Sequence, residues 1–378
     1  MMRIIFTCGG TAGHISPALA LAKLFQSRQP GTEVLFVGAA GNTMESRLVP
    51  KEGYPIEQVE VSSFYRKLNW NGVKHNAKAL GDIARSRAQA NRILDDFKPD
   101  LVVGTGGFAS YPVCRQAARR GIPVAIHESN AIPGLTTRRL AKYVDKVMLG
   151  IPSDLSLYPH PERVEVTGTP VRPDFFSRTR LEARAELGIH DDKPLVLACW
   201  GSLGAEVMNE QMVDFLALAV KAGCPFRVIH GSGERYYDEV IEALERQDLD
   251  LSAYPELEVR PYLYDMPLVM AAADVVLCRA GASTIGELSA LGKPAILVPS
   301  PNVTGDHQTK NAQAAARTGG AICLPEARST PQVLFDTVTD LLSDSRRRGE
   351  MGKAMSSLAP ADAAERIYDV LTKLLERP

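Results

Sequence analysis

Most of the polar chemistry in this 378-residue chain sits in four glycine-rich stretches. Gly9-Gly10-Thr11-Ala12-Gly13 runs straight into His14, and Gly104-Thr105-Gly106-Gly107 leads to Ser110. Gly201-Ser202-Leu203-Gly204-Ala205 is the third, and Arg279-Ala280-Gly281-Ala282-Ser283-Thr284-Ile285-Gly286, ending at Glu287, is the fourth. Glycine lets backbone approach a ligand closely. A helix starting after such a loop aims free N–H groups and its positive dipole end at the site. One such loop alone reads as a tight turn; four together read as anion cradles. No GxGxxG follows either first strand and no GxxxxGK[ST] occurs, so dinucleotide and P-loop chemistry are disfavoured. The acidic string Asp248–Asp250 lies in a charged, helix-like stretch and reads as solvated surface.

Several side chains around these loops are suited to catalysis or sugar binding. A helix N-terminus disfavours imidazolium, so His14 reads as a general base for a hydroxyl, or else as a capping or packing histidine. His127-Glu128-Ser129-Asn130-Ala131-Ile132-Pro133-Gly134 closes a strand and is expected to place three polar side chains in a crevice, or else to form a capped turn. Glu287 can accept two hydrogen bonds from a ribose diol, or simply complement a helix dipole. Gln308 offers both donor and acceptor to sugar hydroxyls.

These loops need strands before them and helices after them. Arg3–Cys8, Glu33–Val37, Leu101–Val103 and Val124–His127 read as buried strands, as do Leu195–Cys199, Phe226–His230, Val275–Cys278 and Ala295–Val298. Helical patterns lie between, at Pro17–Ser27, Arg85–Phe97 and Val207–Ala222. The order strand, Gly loop, helix, Gly-x-Pro step, strand occurs twice (Gly121-Ile122-Pro123; Gly292-Lys293-Pro294). This predicts an α/β protein of two similar doubly wound parallel-sheet domains, with ligands at the carboxyl ends of the strands. The expected domains are 1–168 and 169–360, split at the Pro-rich step Thr169–Pro173, with a last helix in 361–378 docking back on the first domain.

Composition is that of an ordinary globular protein, 45% hydrophobic and 23% charged, which excludes disordered, collagen-like and disulfide-scaffold classes. No apolar run approaches membrane-spanning length, and the start of the chain does not read as a secretion signal. Six scattered cysteines without a CxxC pair read as reduced thiols of a cytosolic protein, not as a metal site. The net charge of −1 hides a split: 22 Lys+Arg against 14 Asp+Glu through Arg172, then 21 against 30. An anionic partner is expected on the first half, and a nucleic acid is not, since no recognised module is present. Residues 62–98 hold eight basic residues against three Asp, with Phe64, Tyr65, Leu68, Trp70 and Val73 interleaved. That mixture suits an anionic bilayer surface, with Phe64, Lys67, Trp70, Lys74 and Lys78 as contacts. A solvated helix with a packed aromatic loop is the alternative.

As a set, GGTAGH, GTGGFAS, HESNAIPG, TGTPVR, GSLGA, RAGASTIGE and DHQTKNA resemble the MurG family of bacterial peptidoglycan glycosyltransferases, over Cys8 to Ala312. The resemblance implies the GT-B architecture, two Rossmann-like domains facing across a cleft. It implies an inverting, metal-independent transfer of N-acetylglucosamine from UDP-GlcNAc to the muramyl 4-hydroxyl of lipid I, giving lipid II. No cofactor is implied. Implied partners are the donor, lipid I, anionic inner-membrane lipid, and cell-wall synthesis and division proteins, at the cytoplasmic face of the cell membrane. The resemblance places Thr11, Ala12 and Gly13 near the sugar and the acceptor diphosphate, with His14 as base and Glu128 as the carboxylate alternative. Gly104, Thr105, Gly106, Gly107 and Ser110 match the acceptor loop, and Asn130 faces the transferred sugar. Arg172 and Ser202 match donor-phosphate contacts, Leu263 the uracil position, Ala282 to Glu287 the nucleotide loop with Glu287 on ribose, and Gln308 the sugar hydroxyls. Ala12, Trp200, Leu203 and Ser129 depart from the commonest family pattern. Rival readings are another UDP-GlcNAc enzyme of the same architecture, an epimerase or glycolipid glycosyltransferase, and a non-catalytic membrane-surface sensor of UDP-GlcNAc.

Overall fold

The computed structural model describes residues 1–61, 70–201 and 204–376, apart from the side chains of residues 12, 70–83 and 304. Met1–Val171 with Asp362–Pro378 form one compact unit and Arg172–Ala361 the other. The first unit runs β1 (Arg3–Thr7), α1 (Ala12–Arg28), β2 (Glu33–Ala39), α2 (Met44–Lys51), β3 (Ile56–Val59), α3 (Trp70–Phe97), β4 (Leu101–Gly104), α4 (Ser110–Arg119), β5 (Val124–Glu128), α5 (Leu135–Leu140), β6 (Lys146–Leu149) and β7 (Val164–Val166). The second runs α6 (Arg180–Glu186), β8 (Leu195–Cys199), α7 (Glu206–Lys221), β9 (Arg227–Gly231), α8 (Tyr237–Glu245), β10 (Leu257–Arg260), α9 (Met266–Ala272), β11 (Val275–Cys278), α10 (Ala282–Leu291), β12 (Ala295–Leu297), α11 (His307–Arg317), β13 (Ala321–Cys323), α12 (Pro331–Ser343) and α13 (Ser345–Leu358). The last helix, α14 (Ala363–Leu375), belongs to the first unit.

Both sheets are parallel, in the orders β3-β2-β1-β4-β5-β6-β7 and β10-β9-β8-β11-β12-β13. Parallel strands need crossover helices, which cover both faces and make continuous apolar strands. In β1, Ile4 and Phe6 enter the core on the α1 side and Ile5 the core on the opposite face, all fully buried. α1 buries Ile15, Ala18, Leu21, Ala22 and Phe25, a helical stripe. α14 lays Ile367, Val370, Leu371 and Leu374 into the same core. Its Tyr368 ring lies 4.7 Å from that of Phe25, and Glu365 pairs with Arg28 at 2.7 Å.

Two helices differ from the sequence reading. α1 begins at Ala12, not Pro17, and carries Pro17 inside it. Proline there removes the helical bond to the Gly13 carbonyl, and its ring crowds that carbonyl. α3 begins at Trp70 rather than near Arg85, so the basic, aromatic stretch is helical from Trp70 to Phe97.

Candidate active site

In each sheet the strand order reverses between two neighbours, β1 and β4 in the first and β8 and β11 in the second. The loops leaving those four strands are the four glycine stretches, at the switch points where doubly wound sheets bind ligands.

In the first unit the loops after β1 and β4 interlock. His14 is half-buried in the first turn of α1, and its Nδ1 lies 2.8 Å from the Gly9 carbonyl oxygen. A carbonyl can only accept, so Nδ1 carries the proton and donates it to Gly9. In the neutral ring this leaves the Nε2 lone pair free. The buried Thr105 hydroxyl donates to the His14 carbonyl at 2.6 Å, and the Ser110 hydroxyl lies 2.9 and 2.8 Å from the Thr7 and Gly106 carbonyls. A Cβ on Gly106 would stand 2.5 Å from the His14 ring, and one on Gly107 2.5 Å from the Gly9 oxygen. Both have positive φ, +119° and +88°. Thr105 and Ser110 thus brace the loop from inside, and its accessible part is Gly106, Gly107 and the 58% exposed Phe108. Thr11 is exposed at the N-cap of α1, with Gly13 half-buried behind it.

The segment after β5 does not project its polar groups as the sequence suggested. His127, Glu128 and Ser129 are all buried. His127 donates through Nε2 to the Gly168 carbonyl at 2.9 Å, and burial pushes its pKa down. Glu128 accepts from the Asn130 N–H (3.1 Å), the Asn130 side-chain amide (3.0 Å), the Gly134 N–H (2.9 Å) and the Thr137 hydroxyl (2.6 Å). With four donors on two oxygens it is the keystone of its own loop. The reason is local: a turn ending at the N-terminus of α5 exposes orphan N–H groups, and the nearest carboxylate satisfies them. Asn130 remains half-buried.

In the second unit the loop after β8 closes on Gly204 (φ +72°), where a Cβ would fall 2.2 Å from the Ser232 carbonyl oxygen. Ser202 and Leu203 lie outside the described residues, as do Phe64 and Lys67; Trp70, Lys74 and Lys78 lie on α3 with side chains outside the description. Trp200, at the end of β8, is buried in the core, and its Nε1 has no hydrogen-bond partner among the described residues. The Arg279 guanidinium sits 6.0 Å from that ring, donates to the Val298 carbonyl (3.2 Å) and pairs with Glu326 (2.5 Å). It ties the ends of β8, β11 and β12 together.

α10 starts after Gly281 with Ala282, Ser283 and Thr284 half-buried in its first turn; Ile285 and Gly286 are buried, and the Ser283 Oγ has no partner among the described residues. Glu287 follows. Burial raises its pKa to about 7; Arg172 opposes the shift and Asp174 adds to it. Arg172 itself is exposed, 3.6 Å from Asp174. Gln308, in the first turn of α11, accepts the Ser300 N–H on Oε1 at 2.9 Å, which leaves its amide N–H groups as donors. Leu263 is buried against Gly231, where a Cβ would meet it at 2.8 Å. Among the described residues, no group of three or more His, Cys, Asp or Glu is placed to hold a metal ion. Among the described residues, no helix is long and apolar enough to cross a membrane.

Sequence reasoning missed Glu45. This carboxylate is fully buried at the start of α2 and accepts the Gly10 N–H at 3.2 Å and the Ala39 N–H at 3.1 Å. In the sequence it reads as an ordinary acid in a first helical turn. The only signal is the pair of glycines, Gly9 and Gly38, that make room for it: a Cβ on either would stand 2.6 Å from the Glu45 side chain.

The chain matches the glycosyltransferase family 28 N-terminal domain over residues 4–149 and the family 28 C-terminal domain over residues 195–367. It is 39% identical to the UDP-N-acetylglucosamine–N-acetylmuramyl-(pentapeptide) pyrophosphoryl-undecaprenol N-acetylglucosamine transferase of Acetivibrio thermocellus, covering 99% of both chains. It is 36% identical to the protein of the same name from Ruminiclostridium cellulolyticum, covering 99% of this chain and all of that one. Among solved structures it is similar to Acinetobacter baumannii MurG, with a TM-score of 0.78 at 28% identity over 99% of this chain and all of that one. The UDP-GlcNAc 2-epimerase of Neisseria meningitidis, at 18% identity and a TM-score of 0.63, shares the fold alone. The chain belongs to glycosyltransferase family 28 and, within it, to the MurG family of N-acetylglucosaminyltransferases.

Proposed function

We propose that this enzyme moves N-acetylglucosamine from UDP-GlcNAc to the muramyl 4-hydroxyl of lipid I, forming lipid II with inversion at the anomeric carbon. The observation that carries the chemistry is the His14 ring, anchored through Nδ1 on the Gly9 carbonyl with Nε2 left to accept a proton. The acceptor hydroxyl attacks the anomeric carbon from the face opposite UDP and gives its proton to Nε2. His14 suits this role better than Glu128, whose oxygens are taken by four donors of its own loop. As the glycosidic bond breaks, negative charge builds on the UDP diphosphate. The Arg172 guanidinium, the Ser202 loop and the free N–H groups opening α7 and α10 are suited to receive it. Gln308 donates to sugar hydroxyls, Leu263 marks the uracil end, and Glu287 accepts the ribose diol. Gly106, Gly107 and Phe108, the accessible part of the second loop, receive the acceptor. The test is transfer of labelled GlcNAc to a lipid I analogue. Product formed only with acceptor supports the reading; donor consumed without acceptor points to an epimerase, and no turnover to a sensor.

Glu287 gives this reading a pH signature. Its carboxyl titrates near pH 7, and only the ionised form accepts both diol hydroxyls. The ionised fraction rises about tenfold from pH 6 to pH 8, so donor affinity should rise about tenfold over the same window. UDP-GlcNAc, a phosphodiester, does not titrate there. Calorimetric titration should show this slope in the natural enzyme and weak, pH-independent binding in Glu287→Gln. A flat profile in the natural enzyme would remove Glu287 from the ribose.

The lipid acceptor calls for a membrane-facing surface on the first unit, at the cytoplasmic side of the cell membrane, where cell-wall synthesis and division proteins would also be met. Beyond the basic stretch of α3, α5 and the turn after it expose Leu135, Arg138, Arg139, Lys142 and Tyr143. The Arg115 guanidinium lies 3.7 Å from the Tyr143 ring centre. Apolar and basic groups mixed in this way suit anionic headgroups. Charge reversal at Lys67, Lys74 and Lys78 should abolish co-sedimentation with phosphatidylglycerol vesicles. Unchanged binding would move the contact to the α5 surface.

A further inference from the structure

We propose that Glu45 is a positioning residue that sets the tautomer of His14 through the Gly9-Gly10 turn. The proposal rests on the reading of His14 as base, and deepens it. Glu45 is fully buried, and among the described residues no lysine or arginine pairs with it. Burying a carboxylate without a cation is costly, and an apolar side chain could fill the space. What the carboxylate adds is two acceptor oxygens on two backbones. Oε2 takes the Gly10 N–H and Oε1 the Ala39 N–H, so the turn after β1 is pinned to the end of β2.

The glycines around it are placed for this purpose. Gly9 and Gly38 each lack the Cβ that would stand 2.6 Å from the Glu45 side chain. On its other side, Gly9 is closed by Gly107, whose own Cβ would stand 2.5 Å from the Gly9 oxygen. The Gly9 carbonyl is therefore held between a carboxylate and a second loop, and it is the group that accepts the His14 Nδ1 proton. A carbonyl fixed there selects the Nδ1–H tautomer and turns the Nε2 lone pair outward. A turn free to rotate would lose that selection. Second contacts that orient an imidazole in this way are known to matter wherever one ring nitrogen must stay free.

The test uses the full-length enzyme and Glu45→Gln, which keeps the volume but offers one acceptor oxygen and one misplaced donor. Ring-nitrogen NMR of histidine-labelled protein, with His14 assigned by its absence in His14→Ala, should show an Nδ1–H ring in the natural enzyme. In Glu45→Gln it should show a mixture of tautomers. kcat should fall about 10–100-fold, with the donor KM within about twofold. An unchanged tautomer, even with kcat reduced, would make Glu45 a purely structural residue and overturn the proposal. Where Glu45→Gln does not fold, the natural enzyme alone decides: an Nε2–H ring contradicts the proposal, and an Nδ1–H ring supports it. The tautomer readout is independent of turnover. A catalytically normal His14→Ala with the NMR result intact would therefore sink the base assignment and leave the positioning link standing.

Discussion

His14→Ala should lower kcat by about 10²–10⁴-fold while donor affinity stays within about twofold. The size follows from what is lost: the lone pair that takes the acceptor proton as the new bond forms. The selectivity follows from where the donor groups sit. Arg172, the first turn of α10, Glu287 and Gln308 all belong to the second unit, whereas His14 belongs to the first. Single-turnover transfer and calorimetry of donor binding check the two halves separately. Near-normal turnover would remove His14 from the role. Glu128 would be a poor replacement, because freeing it means breaking four hydrogen bonds that hold its own loop.

Gly107→Ala should be nearly as damaging, although it removes no functional group. Its φ of +88° is one that alanine adopts only at a cost. The added methyl would stand 2.5 Å from the Gly9 oxygen and 2.8 Å from its nitrogen, and backbone atoms cannot swing aside as a flexible side chain can. One of the two loops must move, and the His14 anchor moves with it. A displacement of about 1 Å at a reacting group costs on the order of 100-fold in rate. We expect that loss in kcat/KM for the lipid acceptor, a destabilisation of about 1–3 kcal/mol, and donor binding unchanged. Thermal unfolding and acceptor-dependent kinetics check it. Full activity in this variant would mean that the two loops do not act together.

The residues that local rules govern were legible in the sequence. The eight strands read from the sequence came through to within about two residues, Arg3–Cys8 expected against Arg3–Thr7 observed, because buried parallel strands are short continuous apolar runs; β3, β6, β7, β10 and β13 were not read. His14 was legible because a glycine loop before a helix announces a helix N-terminus. Contacts between distant segments were not. Glu45 meets the first loop 35 residues away in sequence, and nothing in its neighbours marks it as buried. Glu128 looked free because its four donors become visible only once the turn to α5 is formed. The apolar helical pattern of α1 was read only from Pro17, a residue type common at a first helical position that here lies in the sixth. α3 was shortened because glycine and aromatic residues in its first turns suggested a loop. Trp200 stood out as a departure; that it joins the core beneath Arg279 is a matter of packing.

The central claim is that protein dipoles and a guanidinium, with no metal ion, carry the charge of the departing UDP. It is tested most directly by single-turnover transfer from labelled UDP-GlcNAc to a lipid I analogue, using metal-stripped enzyme in excess EDTA. The account predicts labelled disaccharide lipid and free UDP, formed together at the same rate with or without chelator. Transfer that stops in EDTA and returns with added magnesium would contradict it.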